Sequence, residues 1–182
     1  MPFIDIDNHW ATKEIHWAYK NNLLNGTAPD TFEPNTAITR GMLVTVLWRM
    51  EGYPSADNFN PFIDVSNNVY YSDAVIWASA NNIVMGIDDN LFAPDLEITR
   101  QDIAVLFLRY LDNIEVDYAV TQEYREFTDE NDIAGYAKNA VQVLNKLGII
   151  NGKGNNIIDP QGKATRAEAA AMLYRLITLT KS

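Results

Sequence analysis

A chain of 182 residues with 47% apolar content is long and apolar enough to bury a core of its own, which excludes a disordered segment. It holds no cysteine, so disulfides, thiolate metal sites and cysteine nucleophiles are excluded, and a net charge of -10 argues against nonspecific attraction to nucleic acid or an anionic membrane. No run of about 18 apolar residues is present and the start, MPFIDID, has neither the basic nor the apolar region of a secretion signal, so the expectation is a soluble chain without membrane insertion, or a module excised from a longer precursor.

In chain order the sequence repeats itself. The first copy opens at Phe3, and a helix is expected over 9–22 whose narrow apolar face includes Ile15 and Ala18. A loop through Gly26, Phe32 and Pro34 follows, with glycine suited to ending a helix and proline to the extended approach to the next. Thr39 is a favoured N-cap for a second helix, MLVTVLW, apolar almost all round and therefore in need of burial on most sides. After a linker over 51–61, the second copy opens at Phe62, with helices expected over 71–82 and after Thr99. The segment 112–126, DNIEVDYAVTQEYRE, is long enough to hold an extra turn of helix. The third copy opens at Phe127, with helices expected over 133–147 and after Thr165, where Glu168 completes a capping box that Met42 cannot form in the first copy.

The spacing from glycine to proline to the Thr-Arg pair is constant: Gly26, Pro34, Thr39 and Arg40 recur as Gly86, Pro94, Thr99 and Arg100, and as Gly152, Pro160, Thr165 and Arg166. An aromatic recurs as Trp10, Tyr70 and Tyr136, and a second arginine as Arg49, Arg109 and Arg175. The expected fold is all-α: helix-loop-helix units over 1–53, 60–112 and 126–180, each unable to bury its apolar face alone, closed as one domain around a pseudo-threefold axis with the second helices as a central three-helix bundle. A linear helical solenoid is the alternative.

Phe-x-Asp, the Trp-Ala pair, the Gly...Phe-x-Pro loop and Ile-Thr-Arg, with TRAE complete at 165–168 against TRGM and TRQD in the other copies, resemble the S-layer homology family over nearly the whole chain. The resemblance implies three repeats in one pseudo-trimer that attach exported proteins noncovalently to secondary cell wall polysaccharide, often carrying pyruvylated N-acetylmannosamine. It implies an extracellular place at the cell wall or S-layer, as part of a larger exported protein.

An acidic sugar suits several of the repeated residues. Arg40, Arg100 and Arg166 each follow an N-cap, where free N–H groups and the helix dipole favour anions and a guanidinium fork can hold a carboxylate bidentately. A cation is itself disfavoured at a helix start, so these arginines are expected to face an anionic partner, with an inter-repeat salt bridge as the structural alternative. Gly26, Gly86 and Gly152 serve either a left-handed helix cap or the close approach of a sugar. Trp10, Tyr70 and Tyr136 either pack the outer helices or stack on sugar. Asp5, Asp64 and Asp129 either cap a local turn or accept sugar hydroxyls, and Arg49, Arg109 and Arg175, late in their helices, read as structural cations paired with a neighbouring unit.

Catalysis is not expected, since threefold repetition offers no unique nucleophile, base or carboxylate pair. His9 and His16 have no counterparts in the other copies and make no metal site, and Ile87-Asp88-Asp89-Asn90 lacks the ligand alternation of a calcium loop. Neither a cofactor nor a nucleic acid is called for. The competing function is a helical scaffold for protein-protein association or surface-lattice assembly.

Overall fold

The computed structural model describes residues 2–56, 59–115 and 119–180. Among these the fold is all-α: α1 (Thr12–Lys20), α2 (Arg40–Met50), α3 (Ser72–Ala80), α4 (Arg100–Asn113), α5 (Lys138–Lys146) and α6 (Arg166–Thr180), with a short 3-10 turn at Glu130–Asp132 and no named strand. Each copy supplies two helices.

The first helices are shorter than their apolar pattern because the residues ahead of them are spent in turns; Thr12 Oγ1 donates to the carbonyl of His9 at 2.6 Å and ties that turn down. They end where the backbone turns left-handed, at Asn22 (φ 58°), Asn82 (φ 57°) and Gly148 (φ 69°), a position that asparagine and glycine tolerate. The second helices start as their caps dictate: Thr39, Thr99 and Thr165 Oγ1 accept from the amides of Met42, Asp102 and Glu168 at 3.3, 3.2 and 3.1 Å. Glu168 Oε2 accepts in return from the amide of Thr165 at 2.9 Å, so the capping box forms in full. Of the segment 112–126, only 112 and 113 extend α4; 119–126 is not helical, and 116–118 lie outside the described residues.

The copies are interleaved. The closely packed helix pairs are α2 with α3, α4 with α5 and α1 with α6, so the first helix of each copy lies against the second helix of another. The last of these pairs joins the first copy to the third, which an open solenoid would not do; Trp17 of α1 meets Tyr174 of α6 edge to face at 5.2 Å. The short segments leading into α2, α4 and α6 bond to one another in a closed circuit: Ile38 N–H donates to Ala164 O at 2.9 Å, Ala164 N–H to Ile98 O at 3.0 Å, and Ile98 N–H to Ile38 O at 3.1 Å. Ile38, Ile98 and Ala164 are fully buried there, so these backbone groups have no water to turn to and the circuit satisfies them.

One continuous apolar core runs through all three copies. The loop residues Phe32, Phe92 and Ile158 are wholly buried, and Phe3 and Phe62 pack on the first two at 5.5 and 5.4 Å.

Candidate functional site

The arginines that open α2, α4 and α6 reach out of their own copies. Arg40 donates from Nε to Phe92 O at 2.9 Å and from Nη2 to Met85 O at 3.1 Å. Arg100 does the same to Ile158 O at 2.8 Å and Asn151 O at 2.7 Å, and Arg166 to Phe32 O at 2.9 Å and Asn25 O at 2.6 Å. Each guanidinium thus clasps the Gly...Phe loop of the next copy, the third closing back on the first. Arg40 and Arg166 also lie over the Phe92 and Phe32 rings at 4.7 and 4.5 Å. Burial pushes the pKa of all three arginines down; the carbonyls, with Asp102 near Arg40, Glu168 near Arg100 and Glu33 near Arg166, offset the lost hydration.

This geometry corrects one sequence expectation. The helix starts are not open to an anion, because loop carbonyls of the next copy already take their amides: Arg40 N–H donates to Leu96 O and Gly41 N–H to Pro94 O, with Gly162 and Pro160 serving α4 and Thr36 and Pro34 serving α6. A cation is tolerated at these helix starts because its partners are the same loop's carbonyl oxygens. The remaining guanidinium edge is what each site has to offer. Arg100 Nη1 meets Glu168 Oε1 at 3.2 Å, an inter-repeat salt bridge, whereas Arg166 Nη1 meets the Met42 sulfur at 3.9 Å.

Gly26, Gly86 and Gly152 are not left-handed caps, since none has positive φ. A Cβ at 26 would lie 2.6 Å from the carbonyl oxygens of both Ala28 and Thr31, and similar clashes meet one at 86 and 152. The absent side chain makes room for the loop's own backbone and for the ring of Phe3, Phe62 or Phe127. Asp5, Asp64 and Asp129 cap, but at a distance: Asp5 accepts from the amides of Phe32 (2.9 Å) and Glu33 (2.7 Å), Asp64 from Phe92 and Ala93, and Asp129 from Ile158 and Asp159. The second residue of each pair has positive φ just before proline (Glu33 57°, Ala93 57°, Asp159 54°), so the carboxylate holds a strained turn in place. Burial alone would push the Asp5 carboxyl up, but the Phe32 and Glu33 amides outweigh it and lower its pKa. The stability this adds is fully present above the ordinary carboxylate value of about 4 and is lost as pH falls through the lower folded value. Asp5→Asn should therefore flatten the acid limb of a stability-against-pH curve measured by urea unfolding.

Three grooves lie against these clasps, of about 330, 430 and 370 Å³. The first joins Arg166 of the third copy, Gly26, Met42 and Arg49 of the first, and Tyr70 of the second. The second joins Arg40 of the first copy, Gly86, Asp102 and Arg109 of the second, and Tyr136 and Lys163 of the third. The third joins Arg100 of the second copy, Gly152, Lys153, Glu168 and Arg175 of the third, and Trp10 of the first. All three copies contribute to every groove.

The aromatics stand out into solvent at the groove edges, Trp10 61%, Tyr70 58% and Tyr136 65% exposed, which sets aside the reading of them as packing residues. The Tyr136 phenol, pushed up to about 12 by burial and then by Asp102, stays protonated and donates to Asp102 Oδ1 at 2.7 Å. Arg49 and Arg175 donate from Nη1 to the carbonyls of Leu23 and Ile149, within their own copies rather than to a neighbouring unit, and both also line grooves. Sequence reasoning passed over Met42, Asp102 and Glu168 as groove residues; their shared place three residues after the N-cap was the available signal. No group of His, Cys, Asp and Glu able to hold a metal ion occurs among the described residues.

Comparison with known proteins places the chain in a family. The chain is 31% identical to an amylopullulanase of Thermoanaerobacterium thermosulfurigenes over 96% of its own length and 9% of that protein's. It is also 31% identical to exoglucanase XynX of Acetivibrio thermocellus over 97% of its length and 16% of that protein's. A cellulosome-anchoring protein of Acetivibrio thermocellus is 25% identical over 84% of the chain and 34% of its own length. The chain therefore spans a sixth or less of the first two relatives. Residues 2–41, 61–104 and 126–170 each match the S-layer homology domain, and the chain belongs to that family.

Proposed function

We propose that this chain is a noncatalytic anchoring module that holds a larger exported protein on the cell wall by binding anionic secondary cell wall polysaccharide, through its pyruvylated N-acetylmannosamine, in the three grooves. Membership of the S-layer homology family and similarity to a cellulosome-anchoring protein support the anchoring role. The small share of each relative that the chain covers supports a module within a longer protein. No helix among the described residues is long and apolar enough to cross a membrane.

One observation carries the ligand class: in each groove a flat, exposed aromatic stands beside an arginine that is buried (Arg100, Arg166) or half-buried (Arg40), in the Arg166 groove Tyr70, in the Arg40 groove Tyr136 and in the Arg100 groove Trp10. An exposed ring offers a face to the apolar side of a pyranose, and arginine offers a fork to a carboxylate. Three such grooves on one body bind a polymer with avidity.

The aromatics are the cleanest probes because, unlike the arginines, they contribute little to the core. Single replacements of Trp10, Tyr70 or Tyr136 by alanine should weaken sedimentation with protein-stripped wall sacculi, and the triple variant should lose on the order of a hundredfold in retention while its unfolding midpoint barely moves. Undiminished sedimentation of the triple variant, or binding only to walls that keep their protein layer, would overturn the glycan reading in favour of a protein scaffold.

A further inference from the structure

The grooves share a plan but not the group set against the arginine, and the difference falls on the position three residues past each threonine cap. In the Arg100 groove that position is Glu168, whose Oε1 lies 3.2 Å from both Arg100 Nη1 and Lys153 Nζ. In the Arg40 groove it is Asp102, which accepts from the hydroxyls of Tyr136 at 2.7 Å and Thr99 at 2.6 Å and is the foremost charge offsetting the burial of Arg40. Both grooves carry an internal carboxylate beside their arginine.

The Arg166 groove carries Met42 instead, and none of the described residues that line it is acidic. Arg166 is only 4% exposed, yet among the described residues its Nη1 finds only the Met42 sulfur, at 3.9 Å. A thioether is a weak acceptor for a charged donor, so, although Glu33 and Asp5 lie near enough to act on Arg166 through space, this edge of the guanidinium has no carboxylate in contact with it. Arg49 lines the same groove, as Arg109 and Arg175 line the other two, and Tyr70 stands at its edge. We propose that the residue at 42, 102 and 168 divides the work of the grooves: the Arg166 groove takes the carboxylate of the wall glycan, and the carboxylates of Asp102 and Glu168 turn the other two toward neutral sugar hydroxyls. The proposal rests on the glycan reading above.

The test is isothermal titration with the methyl glycoside of pyruvylated N-acetylmannosamine and, in parallel, with the same glycoside lacking the pyruvyl group. The wild type should show one strong site for the acidic sugar. Met42→Glu should weaken that site more than tenfold by setting a like charge against the ligand, and leave the neutral sugar unaffected. Glu168→Gln, which keeps an amide oxygen for the Thr165 cap, should add a second site for the acidic sugar. Equal acidic sites in all three grooves, an unchanged affinity in Met42→Glu, or an unchanged stoichiometry in Glu168→Gln would overturn the division; the last decides the matter if Met42→Glu does not fold. Absence of any response of the wild type to the acidic sugar would overturn the pyruvylated-glycan reading itself.

Discussion

Arg100→Ala is expected to lower the free energy of unfolding by about 3–5 kcal/mol, read as a shift in the urea midpoint. The side chain is 3% exposed and makes three bonds into the third copy, to Ile158 O, Asn151 O and Glu168 Oε1. Its removal leaves the loop carbonyls without their donor and Glu168 with only Lys153 as ionic partner. Lysine should restore little, since one ammonium cannot reproduce a fork that serves both carbonyls at once. A loss of wall binding in this variant would therefore report a broken clasp as much as a lost ligand contact.

Phe32→Ala should be of comparable size, about 3–5 kcal/mol, because a wholly buried ring leaves a cavity that the surrounding loop is too constrained to fill. The same ring lies under Arg166 at 4.5 Å and beside Phe3 at 5.5 Å, so its loss loosens the third copy's hold on the first. For a chain of this length the change corresponds to a fall in Tm on the order of 10 °C, measurable by calorimetry. A fall of only a degree or two would mean that the loop repacks freely and is not the rigid wall of the groove described above.

Much of this fold is legible in the sequence because its signals are local. A threonine cap, a helical period and a constant glycine-to-arginine spacing all lie within a few turns of one another, and Thr39, Thr99 and Thr165 cap as expected. The groove partners were not legible, because they cross between copies. Arg40 finds Phe92 at a separation of 52 residues, Arg100 finds Ile158 at 58, and Arg166 finds Phe32 at 134. The motif TRAE is contiguous on paper, yet its glutamate, Glu168, sits against Arg100 of the second copy, and the Met42 that breaks the motif in the first copy sits against Arg166 of the third. Completeness of a motif within one copy is therefore a poor guide to the state of any one groove. The glycines and aspartates were ambiguous for the same reason: what crowds Gly26 and what Asp5 holds depend on where a loop lies in space.

The pairing of α1 with α6 has a consequence for biosynthesis. Residues 12–20 cannot find their partner until residues 166–180 have been made, and at about 5–20 residues per second the interval between them is on the order of 10 s. Until then the first helix has no mate, and the backbone circuit through Ile38, Ile98 and Ala164 stays open. The module is thereby kept from completing its tertiary structure until its last helix has been made, a delay built into the topology.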